Sequence, residues 1–290
     1  MNIYFYLPNY KSLKLDDPIW LSSQGGVVVW SALVYYFLKK YGYKDIYLTD
    51  NVPKGNGILL FHPRFSKEVF QNPNLLYVCT LADAKDKIKK ADFHIVQNPI
   101  LADKTSYYIP HFPQPGLIPR KKENIEIVSF KGEIQNLHPE LQTYEFIKEI
   151  NSFGMRFNID TNKELWRDYS NTDITLAVRR NRKSRWKHKP ITKLVNAWIA
   201  KTPVIVGDEV GFDLVKKSNL DFIKATNKEE VIKAIKKLKN NPTLFEDMVA
   251  NGIERAKEYS FENISYQWMD VLEKIKKRKK NIFKKFLQKI

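Results

Sequence analysis

One cysteine, Cys79, stands in 290 residues, so no disulfide can close within the chain and a reducing compartment suits it. No apolar run approaches the roughly 20 residues needed to span a bilayer. The opening Met1-Asn-Ile-Tyr-Phe-Tyr-Leu7 has neither a basic leader nor a small-residue cleavage site. It is expected as a strand of a cytoplasmic protein rather than as a signal peptide. Neither an Asp-x-Asp after an apolar strand nor a Cys/His cluster occurs, so no metal site is expected.

Acidic residues are missing from two places. Residues 179 to 189 carry seven Lys/Arg and residues 274 to 290 carry nine, with no acid in either run. Of the net charge of +17, that leaves +1 for the rest, so the body is nearly neutral with two basic patches. A nucleic-acid partner would want aromatics interleaved with the basic residues, and Trp186 is the only aromatic in the first run. That partner is not expected. In the second run Ile275, Ile282, Phe286, Leu287 and Ile290 fall on one stripe between lysines. This is the pattern of a basic amphipathic helix on an anionic membrane, or else of a solvated tail.

What is present is alternation. Strands are expected at Ile3–Leu7, 42–48, Gly57–Phe61, Asn74–Val78 and Asp92–Val96. A polar irregular stretch runs to Ser23, Gln24-Gly25-Gly26 opens a helix over Val27–Lys40, and a short helix fills Asp83–Lys90. Paired glycines let the backbone approach a ligand at a helix N-terminus. Prolines 110, 113, 115 and 119 forbid a helix and suit a connector. Beyond it come strands at Ile125–Phe130, Met155–Ile159, Asp173–Val178, Pro203–Val206 and Asp221–Ile223. Helices are expected at Pro139–Asn151, Lys163–Ser170, from Pro190, near Phe212, at Asn227–Leu238, Pro242–Tyr259 and from Phe261. Short apolar runs ending in polar residues are characteristic of buried parallel strands, and such sheets bind ligands at strand carboxyl ends. Three domains follow: 1–120, 121–264, and a helix with basic tail at 265–290.

The stretch Lys189-Pro-Ile-Thr-Lys193-Leu-Val-Asn196-Ala, then Ala200-Lys-Thr-Pro-Val-Ile205 and a Gly-containing turn, resembles the donor-binding segment of GT-B fold glycosyltransferases. The Gly25-Gly26 loop and Glu254–Asn263 resemble the family's cleft loop and closing pattern. The resemblance implies an α/β protein of two Rossmann-like domains with parallel sheets facing across a cleft, the final helix packing back on the first domain. Commoner retaining members carry two glutamates with seven residues between them on the donor helix. Here those positions hold His188 and Asn196, and the segment is closer to a variant associated with cell-surface polysaccharide transferases.

The resemblance implies that Lys131 and Gly132 approach the donor diphosphate, loosely matched to the family's turn, and that Lys189, Lys193 and Asn196 line one face of the donor helix. Arg179 and Arg180 open the basic run, which would neutralise a nucleotide diphosphate. Glu209, Gly211, Phe212 and Asp213 follow the next strand; Glu209 and Asp213 accept bonds from sugar hydroxyls, or are simply acids favoured by a helix N-terminus. Gly25, Gly26 and Asp83 face the acceptor. His62 is the candidate general base, or a loop residue satisfying a carbonyl. The expected activity is transfer of a hexosyl or deoxyhexosyl group from a nucleotide sugar to a glycan or lipid-linked hydroxyl, without metal or cofactor, at the inner face of the membrane. The alternative is a non-catalytic binding protein of the same fold.

Overall fold

The computed structural model describes residues 1–121, 123–182 and 184–287, with side chains as far as Arg278. It forms two compact units: Met1–Phe112 with His188–Pro190 and Ser260–Ile290, and Pro113–Lys187 with Ile191–Tyr259.

In the first unit the apolar runs become six parallel strands: β1 (Ile3–Tyr6), β2 (Ile46–Thr49), β3 (Gly57–Phe61), β4 (Leu75–Thr80), β5 (Phe93–Val96) and β6 (Ser106–Tyr108). Their order is β2-β1-β3-β4-β5-β6. β3, β4 and β5 are buried at every position, which is why their sequences are apolar without alternation. The chain lays β2 on one side of β1 and β3 on the other. That reversal is where an open α/β sheet leaves a crevice at its carboxyl end.

The stretch expected to be irregular up to Ser23 contains a helix, α1 (Pro18–Ser23). Pro18 fits its first turn, and the Asp17 carboxylate accepts the Trp20 N–H at 2.9 Å. After the glycine pair, α2 (Gly26–Val28), a π-helical stretch (Val29–Leu33) and α3 (Val34–Lys40) run on without a break. The helix expected over Asp83–Lys90 is absent. There Ala82 takes a left-handed φ of 49°, the Gln97 amide donates to the Ala82 carbonyl and to Asp83, and the Ile88 N–H donates to His94 Nε2 at 3.1 Å. Side chains of and just after β5 thus satisfy backbone groups that a helix would have satisfied itself.

The last helix, α9 (Phe261–Leu287), also belongs to this unit. Ile264, Trp268, Leu272 and Ile275 recur at helical spacing and are fully buried. Phe261 stacks on Phe37 at 4.4 Å, Trp268 lies 6.4 Å from Trp30, and the Tyr43 hydroxyl donates to Glu273 at 2.6 Å. The final helix therefore packs on α3, as the resemblance implied. Ile275, expected on a membrane-facing stripe, is part of the core; the side chains of Ile282, Phe286, Leu287 and Ile290 lie outside the described residues.

The second unit is a parallel sheet of β7 (Ile127–Lys131), β8 (Arg156–Asp160), β9 (Ile174–Ala177), β10 (Val204–Val206) and β11 (Ile223–Lys224), in the order β11-β10-β9-β7-β8. Here the order reverses between β7 and β9. Around it run α4 (Tyr144–Ser152), α5 (Thr192–Ile199), α6 (Val210–Val215), α7 (Lys228–Lys239) and α8 (Pro242–Lys257). Val128, Phe130, Leu176 and Ile205 of the sheet meet Phe146, Ile150, Ile235 and Phe245 in one core. The single helix expected over 139–151 is a 3-10 turn (Pro139–Gln142) followed by α4, because the Thr143 hydroxyl accepts the Phe146 N–H and starts the helix anew. Lys163–Arg167 is likewise a 3-10 turn.

The expected change of domain near 120 falls earlier, between Phe112 and Pro113. Ile118 exchanges backbone bonds with Arg167 and Tyr169, both at 2.8 Å, and Arg120 Nε donates to Asp173 Oδ1 at 2.8 Å. Asp173 is fully buried and also accepts the N–H groups of Glu126 and Ile127. Removing it strands Arg120 and two backbone donors. Asp173→Ala is expected to cost about 3–5 kcal/mol in the second unit, read as a lower urea midpoint than that of the unsubstituted chain.

Candidate functional site

At the carboxyl end of the second sheet, where the strand order reverses, the backbone leaves β7 through Lys131 and Gly132 and β9 through Val178 and Arg179. Gly207 follows β10 so closely that a Cβ there would lie 3.2 Å from the Arg179 nitrogen. Gly132 has φ +146°, outside the range other residues favour, and a Cβ on it would meet Lys193 Nζ at 2.7 Å. Close approach of three chain segments thus builds a small floor of backbone and buried charge.

The charges on that floor are unequally matched. Lys131 Nζ bonds Asp160 at 2.6 Å and sits over the Tyr169 ring, so it serves a buried ion pair rather than an open phosphate subsite. Arg179 Nη1 bonds both oxygens of Glu209, at 3.0 and 3.2 Å, which ties up the carboxylate expected to meet sugar hydroxyls. Asp213, expected in the same role, is held by Arg185 and by Lys224 at 3.1 Å. Gly211 and Phe212 are buried in α6, with Phe212 against Phe222. Arg180 is exposed, and its carbonyl accepts the Trp186 indole N–H at 2.9 Å.

Lys193 is different. Its ammonium is buried with no hydrogen-bond partner among the described residues and lies 3.8 Å from the centre of the Phe130 ring. Burial, then the Arg179 charge, push its pKa well below 10.5 against the opposing pull of Glu209. A buried amine with no hydrogen-bond partner, at the reversal of a parallel sheet, has the chemistry to take an anion.

The expectation that Lys189, Lys193 and Asn196 share a helix face is not met. α5 starts at Thr192, so Lys189 precedes it and belongs to the first unit, where its Nζ bonds Asp83 at 2.7 Å. Asn196 instead accepts the Gln114 N–H at 3.0 Å, fixing the connector.

In the first unit the carboxyl-end residues collect around Asp83. Burial acts to raise its pKa, but the bond and charge of Lys189, then the Gln97 amide, hold it below the ordinary value. Gly25, with φ +89°, and Gly26 have open space where a Cβ would stand, so they leave the start of α2 uncovered. His62 Nδ1 accepts the Arg64 N–H at 3.2 Å. In the neutral ring, favoured by burial and by Arg64, the outward Nε2 then carries the proton, and His62 as placed offers a donor. His111 has the reverse arrangement. Its Nδ1 faces the Phe112 carbonyl, which can only accept, so Nε2 keeps a lone pair; burial lowers its pKa, opposed by the Phe112 carbonyl and then by Asp83. Sequence reading placed His111 in a connector because it missed β6, whose signal was the Tyr107-Tyr108-Ile109 run before Pro110. Trp186 was missed too. It is buried beneath Arg182, whose guanidinium lies 4.3 Å from the ring, and anchors the basic run. Among the described residues, no three or more His, Cys, Asp or Glu are grouped to hold a metal ion.

Among solved structures, a point mutant of S. aureus TarM in complex with UDP, fondaparinux and α-GlcNAc-glycerol is similar at a TM-score of 0.56 and 14% identity over 84% of this chain, which spans 58% of that TarM chain. Anabaena HepE in complex with UDP and glucose gives 0.56 and 10% identity over 94% of this chain and all of HepE. The pneumococcal O-GlcNAc transferase GtfA gives 0.55 and 12% over 84% of this chain and 60% of GtfA. With the two parallel sheets, this likeness makes the chain a GT-B-fold protein. Residues 140–270, which include Arg179, Lys193 and Glu209, match the family described as glycosyl transferase-like. None of the curated protein sequences compared matches the chain.

Because folding holds the Lys193 pKa below that of the unfolded chain, the unfolded state binds the extra proton between the two values. Lys193 therefore costs stability below its folded pKa, and the cost fades as pH rises toward 10.5. Lys193→Met is expected to unfold about 1–3 kcal/mol later than the unsubstituted chain at neutral pH. The difference should narrow in denaturation curves taken at increasing pH.

Proposed function

We propose that the chain is a glycosyltransferase that moves a hexosyl or deoxyhexosyl group from a uridine diphosphate sugar to a hydroxyl of a glycan or lipid-linked acceptor, in cell-surface polysaccharide synthesis. The observation that carries this reading is the unpartnered Lys193 ammonium beside Gly132 at the reversal of the second sheet. A nucleotide diphosphate brings the missing anion. The UDP bound to TarM and HepE supports the choice of nucleotide, and the family match of residues 140–270 supports the reaction class.

In the reaction the acceptor oxygen bonds to the anomeric carbon while that carbon's bond to the diphosphate oxygen breaks. The electron pair leaves with the diphosphate. Lys193, with Arg179 behind it, meets that growing charge in a site of low dielectric, where a fixed cation counts for most; no metal is needed in this scheme. The acceptor belongs to the first unit, with Asp83, Lys189 and the Gly25-Gly26 loop around it. Its hydroxyl proton goes to Nε2 of His111, the imidazole with a free lone pair, rather than to His62. The enzyme works in the cytoplasm, at the inner face of the membrane, with 274–290 as its basic contact.

A second reading, a non-catalytic protein binding nucleotide sugar or glycan, is favoured by His188 and Asn196 standing where the resemblance places glutamates.

A ligand at about 100 times its dissociation constant stabilises the native state by ~2.7 kcal/mol. UDP is expected to give a thermal shift of that order, abolished in Lys193→Ala and kept in Lys189→Ala. No shift with UDP or any other nucleoside diphosphate would reject the donor site. A shift without sugar release from a panel of UDP-sugars and acceptors would favour the binding protein.

A further inference from the structure

A doubly wound unit ordinarily covers both faces of its sheet with crossover helices. In the first unit the crossovers β3 to β4 and β4 to β5 contain no α-helix. Between these two loops lies an open groove of about 500 Å³ lined by Ser66, Lys67, Phe70, Lys87, Ile88, Lys89 and Lys90. Its floor is apolar, since Phe70 and Ile88 pack against the core of this face. Its walls carry four ammonium groups.

Three nearby acids are already engaged. Asp92 accepts the Tyr77 N–H at 2.8 Å, Glu68 accepts the Tyr6 hydroxyl at 3.3 Å, and Asp103 takes Lys87 at 2.6 Å. Asp86, exposed on the same loop, is the one acid in the sequence run that holds Lys85, Lys87, Lys89 and Lys90. Of the four groove lysines, Lys87 is in an ion pair; Lys67, Lys89 and Lys90 have none among the described residues. Lys90 lies 6.0 Å from the Phe70 ring.

A second observation extends the patch. The turn that holds Lys87 through Asp103 continues into Lys104, whose carbonyl accepts Arg278 Nη1 of α9 at 2.6 Å. The Arg278 guanidinium also stacks on Phe93 and Tyr107. Arg278 of α9 therefore meets the Asp103–Lys104 turn, which also holds Lys87 of the groove, beside edge strand β6. Beyond Arg278 the sequence adds Lys279, Lys280, Lys284, Lys285 and Lys289 with no acid.

We propose that this rim, centred on Lys67, Lys89, Lys90 and the Phe70–Ile88 floor, docks on the anionic headgroups of a lipid bilayer. A small anion would engage the groove alone, whereas a surface of phosphates meets the groove and the exposed Lys104 together. The apolar floor accepts the glycerol and first methylenes of one lipid, and the ammonium groups stay at headgroup depth. Docking is a property of the first unit and does not depend on the donor reading, so either can fail without the other.

The test is co-sedimentation of the full chain with phosphatidylcholine vesicles, with and without phosphatidylglycerol. One variant carries Lys67→Glu, Lys89→Glu and Lys90→Glu; a control of equal charge change carries Lys148→Glu, Lys233→Glu and Lys237→Glu, all exposed in the second unit. Each lysine near an anionic surface strengthens binding roughly fivefold. The groove variant is therefore expected to lose more than about tenfold in affinity for the phosphatidylglycerol vesicles. The control should lose far less, and the unsubstituted chain should ignore the neutral vesicles. Equal losses in groove and control variants, or no vesicle binding at all, would overturn the proposal. Binding of soluble polyphosphate in place of vesicles would overturn it in favour of a dissolved polyanion.

Discussion

A cation held out of water without an anion beside it is costly, and the second unit is built so that one is retained. Lys193 leaves α5 toward β7, where a flexible ammonium can be accommodated because residue 132 is glycine. Arg179 is answered by Glu209 and Lys131 by Asp160, so the positive charges around Lys193 are already spent on partners. What remains is the Lys193 amine, buried with no hydrogen-bond partner among the described residues. Desolvation acts on Lys193 as strain acts on a backbone: it is carried by the packing of the rest.

That arrangement needs the sheet. The carboxyl ends of β7, β9 and β10 emerge side by side because the strands are parallel, and the reversal of strand order separates the chain segments that follow β7 and β9. The same logic acts on the first unit, where His62, Gln97 and His111 lie far apart in sequence and all interact with Asp83. Hydrogen bonding then assigns their chemistry. Two histidines with pKa values lowered in the same direction have opposite tautomers, because one Nδ1 faces a backbone N–H and the other a carbonyl.

Where strand crossovers lack helices, side chains of the neighbouring strand take over the hydrogen bonds. His94 and Gln97 serve the loop after β4 in this way. The outcome is a face of the first sheet closed by loops, with lysines gathered along a groove. The opposite face is closed by α3 and α9, whose aromatic contacts tie the last part of the chain to the first.

The parallel α/β class, the strands β3, β4, β7 and β10, the helices α7, α8 and α9 and the glycine turns were legible in the sequence, because apolar spacing and glycine depend on neighbours a few residues away. Helix starts that depend on a single side chain, such as Asp17 before α1 and Thr143 before α4, were partly hidden among ordinary polar residues. The pairing of charges was not legible at all. Seven basic residues in one run looked alike, yet Arg179 is neutralised by Glu209, Arg185 by Asp208 and Asp213, and Lys189 by Asp83, partners 23 to 106 positions away. The sequence by itself determined which segments alternate and where charge is concentrated, since those are local properties of the chain. Only the tertiary structure decided that the Lys193 amine is buried without a hydrogen-bond partner among the described residues and that His111 Nδ1 faces a carbonyl, since burial and hydrogen-bond partners are set by which distant segments the sheets bring together.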